Sequence, residues 1–156
     1  MARPTSTQFA VAVHVLTYLA GVDGDHQVSS DELAESANVN PVYVRRVLGP
    51  LRHAGIVASR PGVQGGWELT RPADLVRLDE VWTLVNGADP VMATHGPDPN
   101  CPVGRRVGQV LGDLEADMVA AIRRELHARS VADVLAEAQL EPGSVGRRPR
   151  TDGAGS

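Results

Sequence analysis

The chain holds one cysteine, no lysine, and only two Trp, two Tyr and one Phe among 156 residues. A single cysteine excludes an intrachain disulfide framework and fits a reducing cytoplasm. With aromatics this scarce, a core must come mainly from Leu, Val and Ala, in a chain that is 42% hydrophobic. No apolar run approaches the roughly 20 residues that a membrane span requires. Residues 9 to 20 are apolar but interrupted by His14, Thr17 and Tyr18. No basic leader or cleavage site precedes them, which argues against a signal peptide and for a cytoplasmic protein. All 15 basic residues are arginine, a bias that fits a GC-rich bacterial genome. No nucleophile–base pair, phosphate loop or paired-carboxylate motif stands at usable spacing, so the reading is not an enzyme. The length allows one ordinary core, hence one domain with appendages.

A net charge of −4 spread evenly would repel nucleic acid. It is uneven. Residues 41 to 77 hold Arg45, Arg46, Arg52, Arg60, Arg71 and Arg77 against Glu68 and Asp74, a local +4, whereas residues 78 to 141 hold eleven acids against five arginines, a local −6. A basic face on an acidic body attracts phosphate at one surface and keeps the rest off a duplex.

Along the chain, Phe9, Val13, Leu16 and Ala20 repeat at helical spacing and predict a first helix over 6–21. Ser29-Ser-Asp-Glu32 has the form of a capping box for a second helix to about Ala37, with Leu33, Ala34 and Ala37 inward. Asn40-Pro41 opens a third, Asn as cap and Pro in the first turn. Its buried stripe is Val44, Val47, Leu48 and Leu51, and Gly49-Pro50 predicts a kink because Pro50 removes a donor to the Arg46 carbonyl. Gly55 closes it. Ile56-Val57 starts a strand, Pro61 to Gly66 forms a tip, and Trp67 to Thr70 returns. Helix, turn, arginine-bearing helix and glycine-tipped hairpin together build a winged helix-turn-helix, whose second helix enters the DNA major groove.

A short amphipathic helix over Leu78 to Val85 follows, then a Pro- and Gly-rich loop with Cys101 at its end. Val103, Val107, Val110, Leu111, Leu114, Met118, Ile122 and Leu126 then repeat at threes and fours over about 25 residues, as suits packing along a partner helix. Ser130 caps a last helix, Val131 to Ala138, and beyond Leu140 the composition reads as a disordered tail. The expected organisation is therefore mainly α with a small β-hairpin wing. Residues 1–87 make the DNA-binding domain, 88–102 a sensor loop, 103–139 the dimerisation helix with a short terminal helix, and 140–156 the tail.

These residues resemble the Rrf-two-type (BadM/IscR) family of bacterial winged-helix regulators. The resemblance rests on Phe9-Ala10-Val11, Tyr43, Leu51 through Gly55-Ile-Val with Ser59, and the wing Gly65-Gly66-Trp67. Asn100-Cys-Pro-Val-Gly104 is similar to a single-cysteine branch of it. The resemblance implies a homodimeric repressor that binds an operator with dyad symmetry, in a family that includes sensors of iron–sulfur status, nitric oxide and thiol metabolism. Three departures matter. Cluster-binding members present three closely spaced cysteines before the long helix, and only Cys101 stands here. Pro61 occupies the place usual for the wing arginine, with Arg60 before it, and Trp67 replaces the usual tyrosine.

The residues expected to meet DNA are Asn40, Pro41, Val42, Tyr43, Arg45 and Arg46 at the start of the third helix. Consecutive arginines cannot both address one base, so one reads an edge while the other holds phosphate. Arg60, Gln64 and Gly65 belong to the wing, although a plain hairpin needs glycines too. Amides near Ser29 and Ser30 could hold a phosphate at the positive helix end, and capping explains those serines about as well. Trp67 reads as a core plug behind the wing. Cys101 before the long helix, with Arg105, Arg106 and His95 close in sequence, reads as a redox-sensing thiol rather than an inert packed cysteine. His14 reads as a satisfied core or interface histidine. No ligand spacing among Cys101, His95, His14 and His26 supports a metal site, and no cofactor is expected. Val107, Val110, Leu111, Leu114, Met118 and Ile122 are the expected dimer face. Arg147, Arg148 and Arg150 could add nonspecific DNA affinity, although a solvated tail accounts for them as well. The expected function is thus a dimeric repressor sensing oxidative or thiol stress through Cys101. Two rivals stand beside it: the same repressor gated by a small ligand or a metal or iron–sulfur centre, and a winged helix used for protein–protein contact.

Overall fold

The structure, a computed structural model, describes residues 6–22, 24 and 26–146. Helix α1 (Ser6–Gly21) buries Val11, Ala12, Val15, Leu16 and Leu19 at the centre of the core. Helix α2 (Ser30–Ala37) starts at Ser29, whose hydroxyl accepts from the Glu32 amide at 3.0 Å. The other half of the expected capping box does not form. The Glu32 carboxylate accepts from the Tyr18 hydroxyl at 2.7 Å and meets His26 Nε2 at 2.9 Å. A phenol and an imidazole together offer that charge more than one amide does. Ala37, expected inward, is half-buried.

Asn38 takes the left-handed conformation (φ 52°) and turns the chain. Asn40 Oδ1 then accepts from the Val42 amide at 2.8 Å, and α3 (Pro41–His53) begins with Pro41. Val44, Val47, Leu48 and Leu51 are buried, as their spacing predicts. Gly49-Pro50, where a kink is expected, lies inside the helix. Pro50 lies in its last turn, where one missing hydrogen bond costs little, and α3 runs on to His53. Closure comes from Ile56 N to the Leu51 carbonyl at 2.9 Å and Gly55 N to the Arg52 carbonyl at 3.0 Å. Leu51 and Ile56, both fully buried, add the apolar contact that accompanies this end.

Strands β1 (Val57–Arg60) and β2 (Gly66–Leu69) pair antiparallel from Val57↔Leu69 to Arg60↔Gly66. The Trp67 amide donates to the Val28 carbonyl at 2.7 Å, which ties the hairpin to the start of the helix-turn-helix. A Cβ on Gly66 would stand 2.7 Å from that same carbonyl oxygen, so this approach needs glycine. A 3-10 turn, Ala73–Leu75, leads into α4 (Leu78–Asn86). Helix α5 (Pro102–His127) packs against α4, and α6 (Val131–Glu137) follows.

Two features differ from the expected organisation. Helix α6 belongs to the core of the head, since Val131 is buried in the same cluster as α1, Val134 packs against it and Leu135 is buried as well. Backbone pairing fixes it there, with Val131 N to Val76 O and Leu78 N to Arg129 O both at 3.0 Å. A complete capping box starts it: Asp133 N donates to Ser130 Oγ at 3.1 Å and Ser130 N to Asp133 Oδ2 at 2.7 Å. The backbone and hydroxyl bonds from Ser130 hold the Asp133 carboxyl below its usual range. Residues 140–146, expected in the disordered tail, fold back onto α1. Gly143 N and Val145 N both donate to the Gly21 carbonyl, at 2.8 and 3.1 Å, because the end of α1 leaves that acceptor free. Residues 147–156, with Arg147, Arg148 and Arg150, lie outside the described residues.

Candidate nucleic-acid interface

Helix α3 presents its start and one flank to solvent. Val42 is 64% exposed, an unusual setting for a large apolar side chain unless something else covers it. Arg45 is exposed and has no hydrogen-bond or ion-pair partner among the described residues. Arg46 is tied back. Its guanidinium carbon lies 6.0 Å from the centroid of the Tyr43 ring. With the Gln8 amide turned to satisfy both neighbours, Gln8 accepts from Arg46 at 3.2 Å and donates to the Val85 carbonyl at 2.8 Å. Tyr43 is half-buried against the core, with Arg46 over its ring. Gln8 was not among the expected residues. It stands in the polar first turn of α1, after Ser6 and Thr7, where nothing in the sequence sets it apart.

The pairing of charges sharpens the basic surface. Arg60 meets Glu68 at 3.1 Å and Arg71 meets Glu80 at 2.7 Å, which cancels charge on the hairpin and beyond it. Arg45, Arg46 and Arg52 form no ion pair among the described residues, and all three stand on α3. Within residues 41–77 the arginines unpaired among the described residues are thus these three and Arg77. Arg60 must exchange Glu68 for phosphate if it is to touch DNA. Gln64 and Val63 form the exposed wing tip, and Gly65 is half-buried behind them, its amide donating to Gly62 O at 3.0 Å.

At the start of α2 both expected serines are engaged: Ser29 caps the helix, and Ser30 Oγ accepts from Trp67 Nε1 at 2.9 Å. Asp31 and Glu32 in the first turn already complement the positive helix end. Trp67 is 8% exposed and sits in the core cluster. His14, expected in a core or interface, is exposed and bonded to Ser36 Oγ at 2.9 Å, because its turn of α1 lies beside α2 rather than under it.

Cys101 is half-buried and stands as the N-cap of α5, immediately before Pro102. Arg105 N donates to the Cys101 carbonyl at 3.2 Å, while the Arg105 guanidinium donates to the Pro99 carbonyl at 2.8 Å. Arg106 and His95 are exposed, and among the described residues no hydrogen bond from His95, Arg105 or Arg106 reaches the Cys101 sulfur. The far end of the loop is held by Glu115, whose carboxylate accepts from Val91 N at 2.6 Å and Met92 N at 2.9 Å. Glu115 was not expected, since its partners are backbone amides that leave no mark in the sequence. On α5 no residue is buried, and Val103, Val107, Val110, Leu114 and Met118 are exposed apolar side chains. Leu111 and Ile122 are half-buried beside them.

A tri-helical core, a recognition helix with an unpaired arginine surface and a two-stranded wing define a winged helix-turn-helix of the DNA-binding class. The chain matches the Rrf2 family, described as an iron-dependent transcriptional regulator, over residues 5–137. It is 36% identical to the HTH-type transcriptional regulator YwnA of Bacillus subtilis over 131 residues, covering 83% of this chain and 96% of YwnA. The crystal structure of a transcriptional regulator from Lactobacillus plantarum superposes with a TM-score of 0.71 at 28% identity, over 85% of this chain and 89% of that one. The structure of CymR, the global cysteine regulator of Bacillus subtilis, shares the fold with a TM-score of 0.62 at 21% identity, covering 88% and 98%. The chain belongs to the Rrf2 family and is a DNA-binding transcriptional regulator, not an enzyme.

The iron in the family's description does not suit this chain's donors. A cluster held by closely spaced cysteines needs thiolates that the single Cys101 cannot supply. Among the described residues no group of three or more His, Cys, Asp or Glu could hold a metal ion. No described helix is long and apolar enough to cross a membrane.

Proposed function

We propose that this regulator acts in the cytoplasm as a homodimeric repressor, with two α3 helices entering successive major grooves of a dyad operator about 34 Å apart. The apolar stripe on α5 carries this reading. Val110 is 64% exposed and Leu114 46% exposed on a helix 26 residues long, with Val107, Leu111, Met118 and Ile122 along the same element. A second copy covers such a stripe, and two-fold pairing places the two heads in register with a palindrome. In each head Arg45 reads a base edge, Arg46 and Tyr43 hold the backbone, and Asn40, Pro41 and Val42 fit the groove. Arg60, Gln64 and Gly65 track the phosphates, with Ser29 and Ser30 presenting the start of α2.

Cys101 supplies the trigger, with Arg105, Arg106 and His95 near it in the chain. With a peroxide, the thiolate sulfur attacks the O–O bond, forming a sulfenic acid and releasing the other oxygen as hydroxide or alkoxide. A small thiol then condenses with the sulfenic acid to a mixed disulfide, and water leaves. The added bulk stands at the root of α5, changes the spacing of the two heads and releases DNA.

Sedimentation of wild type and Leu114→Glu, with operator titration of each, tests the assembly. The expected result is a wild-type dimer and a folded Leu114→Glu monomer that has lost operator affinity. A wild-type monomer that binds the operator with full affinity overturns the dimer reading.

A further inference from the structure

A cavity of about 610 Å³ opens between α1, α6 and the returning segment 140–146, well away from α3 in the chain. Its apolar walls are Ala10, Val13, Val134, Ala138, Leu140 and Val145. Its polar lining residues are His14, Thr17, Tyr18, Ser36 and Ser144. Of these, the Thr17 hydroxyl is spent on the Val13 carbonyl at 2.7 Å and the Tyr18 hydroxyl on Glu32 at 2.7 Å. The pair formed by His14 Nε2 and Ser36 Oγ, 2.9 Å apart and exposed, remains to meet a ligand. The volume falls in the range of about 300–1,000 Å³ typical of small-molecule sites, which are mostly apolar with a few convergent polar groups.

The cavity is built by the returning segment. Gly143 N and Val145 N anchor that strap on the Gly21 carbonyl, and Val145 pairs with Val22. A Cβ on Gly21 would collide with the Val145 side chain and stand 3.2 Å from Leu135 Cδ1, so glycine at the end of α1 is what lets the strap close. The lining includes no α5 residue, so pairing through α5 leaves the cavity as it is. Residues 147–156, Arg-Arg-Pro-Arg-Thr-Asp-Gly-Ala-Gly-Ser, offer only Pro149 and Ala154 as apolar side chains.

We propose that this cavity is an effector site for a small neutral amphipathic molecule of the monocyclic phenol type. Its ring lies between the α1 and α6 walls and its hydroxyl on the His14–Ser36 pair. A neutral head is favoured over a carboxylate because Glu32, bonded to the lining residue Tyr18, already places negative charge beside the cavity. The site connects to the DNA-binding surface through Ser36. That residue stands on α2, which packs against the recognition helix, and its bond to His14 joins α2 to α1. A phenol hydroxyl that replaces this bond moves α2, and α3 with it. The regulatory half of this inference rests on the DNA-binding reading; occupancy of the cavity does not.

The test is calorimetric titration of the full chain with 4-ethylphenol and, as the anionic counterpart, 4-ethylbenzoate. It is run on wild type, Ala10→Phe and Ser36→Ala, with circular dichroism to confirm folding. Position 10 is exposed, so filling the cavity from there leaves the core intact. The expected result is saturable binding of the phenol, one per chain, lost in Ala10→Phe and weakened in Ser36→Ala, with the benzoate at least tenfold weaker. Saturating phenol lowers operator affinity about tenfold, within the usual range of allosteric coupling. Absence of saturable binding, or binding unchanged in both variants, overturns the site. Equal binding of the benzoate overturns the neutral head, and operator affinity unchanged at saturation overturns the effector role. A chain that binds the phenol but no DNA contradicts the repressor reading and leaves the occupancy standing.

Discussion

Trp67 Nε1 donates to Ser30 Oγ at 2.9 Å, so the return strand of the wing is fastened to the first residue of α2. The backbone repeats the connection, Trp67 N donating to Val28 O. Wing and helix-turn-helix thus form one rigid surface rather than a head with a loose hairpin. Ser30→Ala leaves a nearly buried indole N–H unpaired. It should cost about 1–3 kcal/mol in urea unfolding, with a matching loss in Trp67→Phe. A Ser30→Ala midpoint equal to wild type contradicts this fastening.

The two adjacent arginines are not equivalent. Arg45 has no partner among the described residues, whereas Arg46 is held by Tyr43 and Gln8. Arg45→Ala should lose about 1–3 kcal/mol of discrimination between the operator and a sequence altered at one guanine. Arg46→Ala should weaken operator and mutated DNA alike and lower the salt slope by about one. Titrations at several salt concentrations on both DNAs separate these outcomes, and the reverse assignment contradicts the geometry.

Burial first, and then the hydrogen bond to Glu32 and its charge, push Tyr18 from 10.0 up to about 12. The fold favours the protonated phenol, so this contribution to stability is full below pH 10 and is lost as pH rises towards 12. Glu32→Gln removes the charge and should bring Tyr18 down towards its ordinary value. Phenolate absorbance during alkaline titration, with Tyr43→Phe as background, reads this directly.

Glu115 holds the end of the cysteine loop far from Cys101 by accepting from two amides, Val91 and Met92. Glu115→Ala should strip exchange protection from those two amides while changing global unfolding by under about 2 kcal/mol. Unchanged exchange at both positions contradicts the clamp.

Much of this was legible in the sequence, because local signals and tertiary demands agreed. Asn40-Pro41 caps α3, Val44, Val47, Leu48 and Leu51 form its buried stripe, and Ser130 opens α6. What stayed illegible depends on partners distant in sequence. Glu32 had the spacing of a capping box, yet Tyr18 and His26 competed for its charge. Composition alone made 140–146 look disordered, but a free carbonyl at Gly21 and an apolar face on α1 order it. Tyr43-x-x-Arg46 showed a basic helix without showing that Gln8 holds one arginine back, which only the packing of α1 beside α3 decides. The exposed stripe of α5 was readable as a stripe, since its period of threes and fours is independent of what covers it.

The measurement that tests the central claim most directly is operator titration with DNA from upstream of the chain's own gene. Reduced and mildly peroxide-treated protein are compared, for wild type and Cys101→Ser. The account predicts tight binding in three samples and release in oxidised wild type alone. Equal release of both proteins by peroxide, or no release of either, contradicts Cys101 as the trigger.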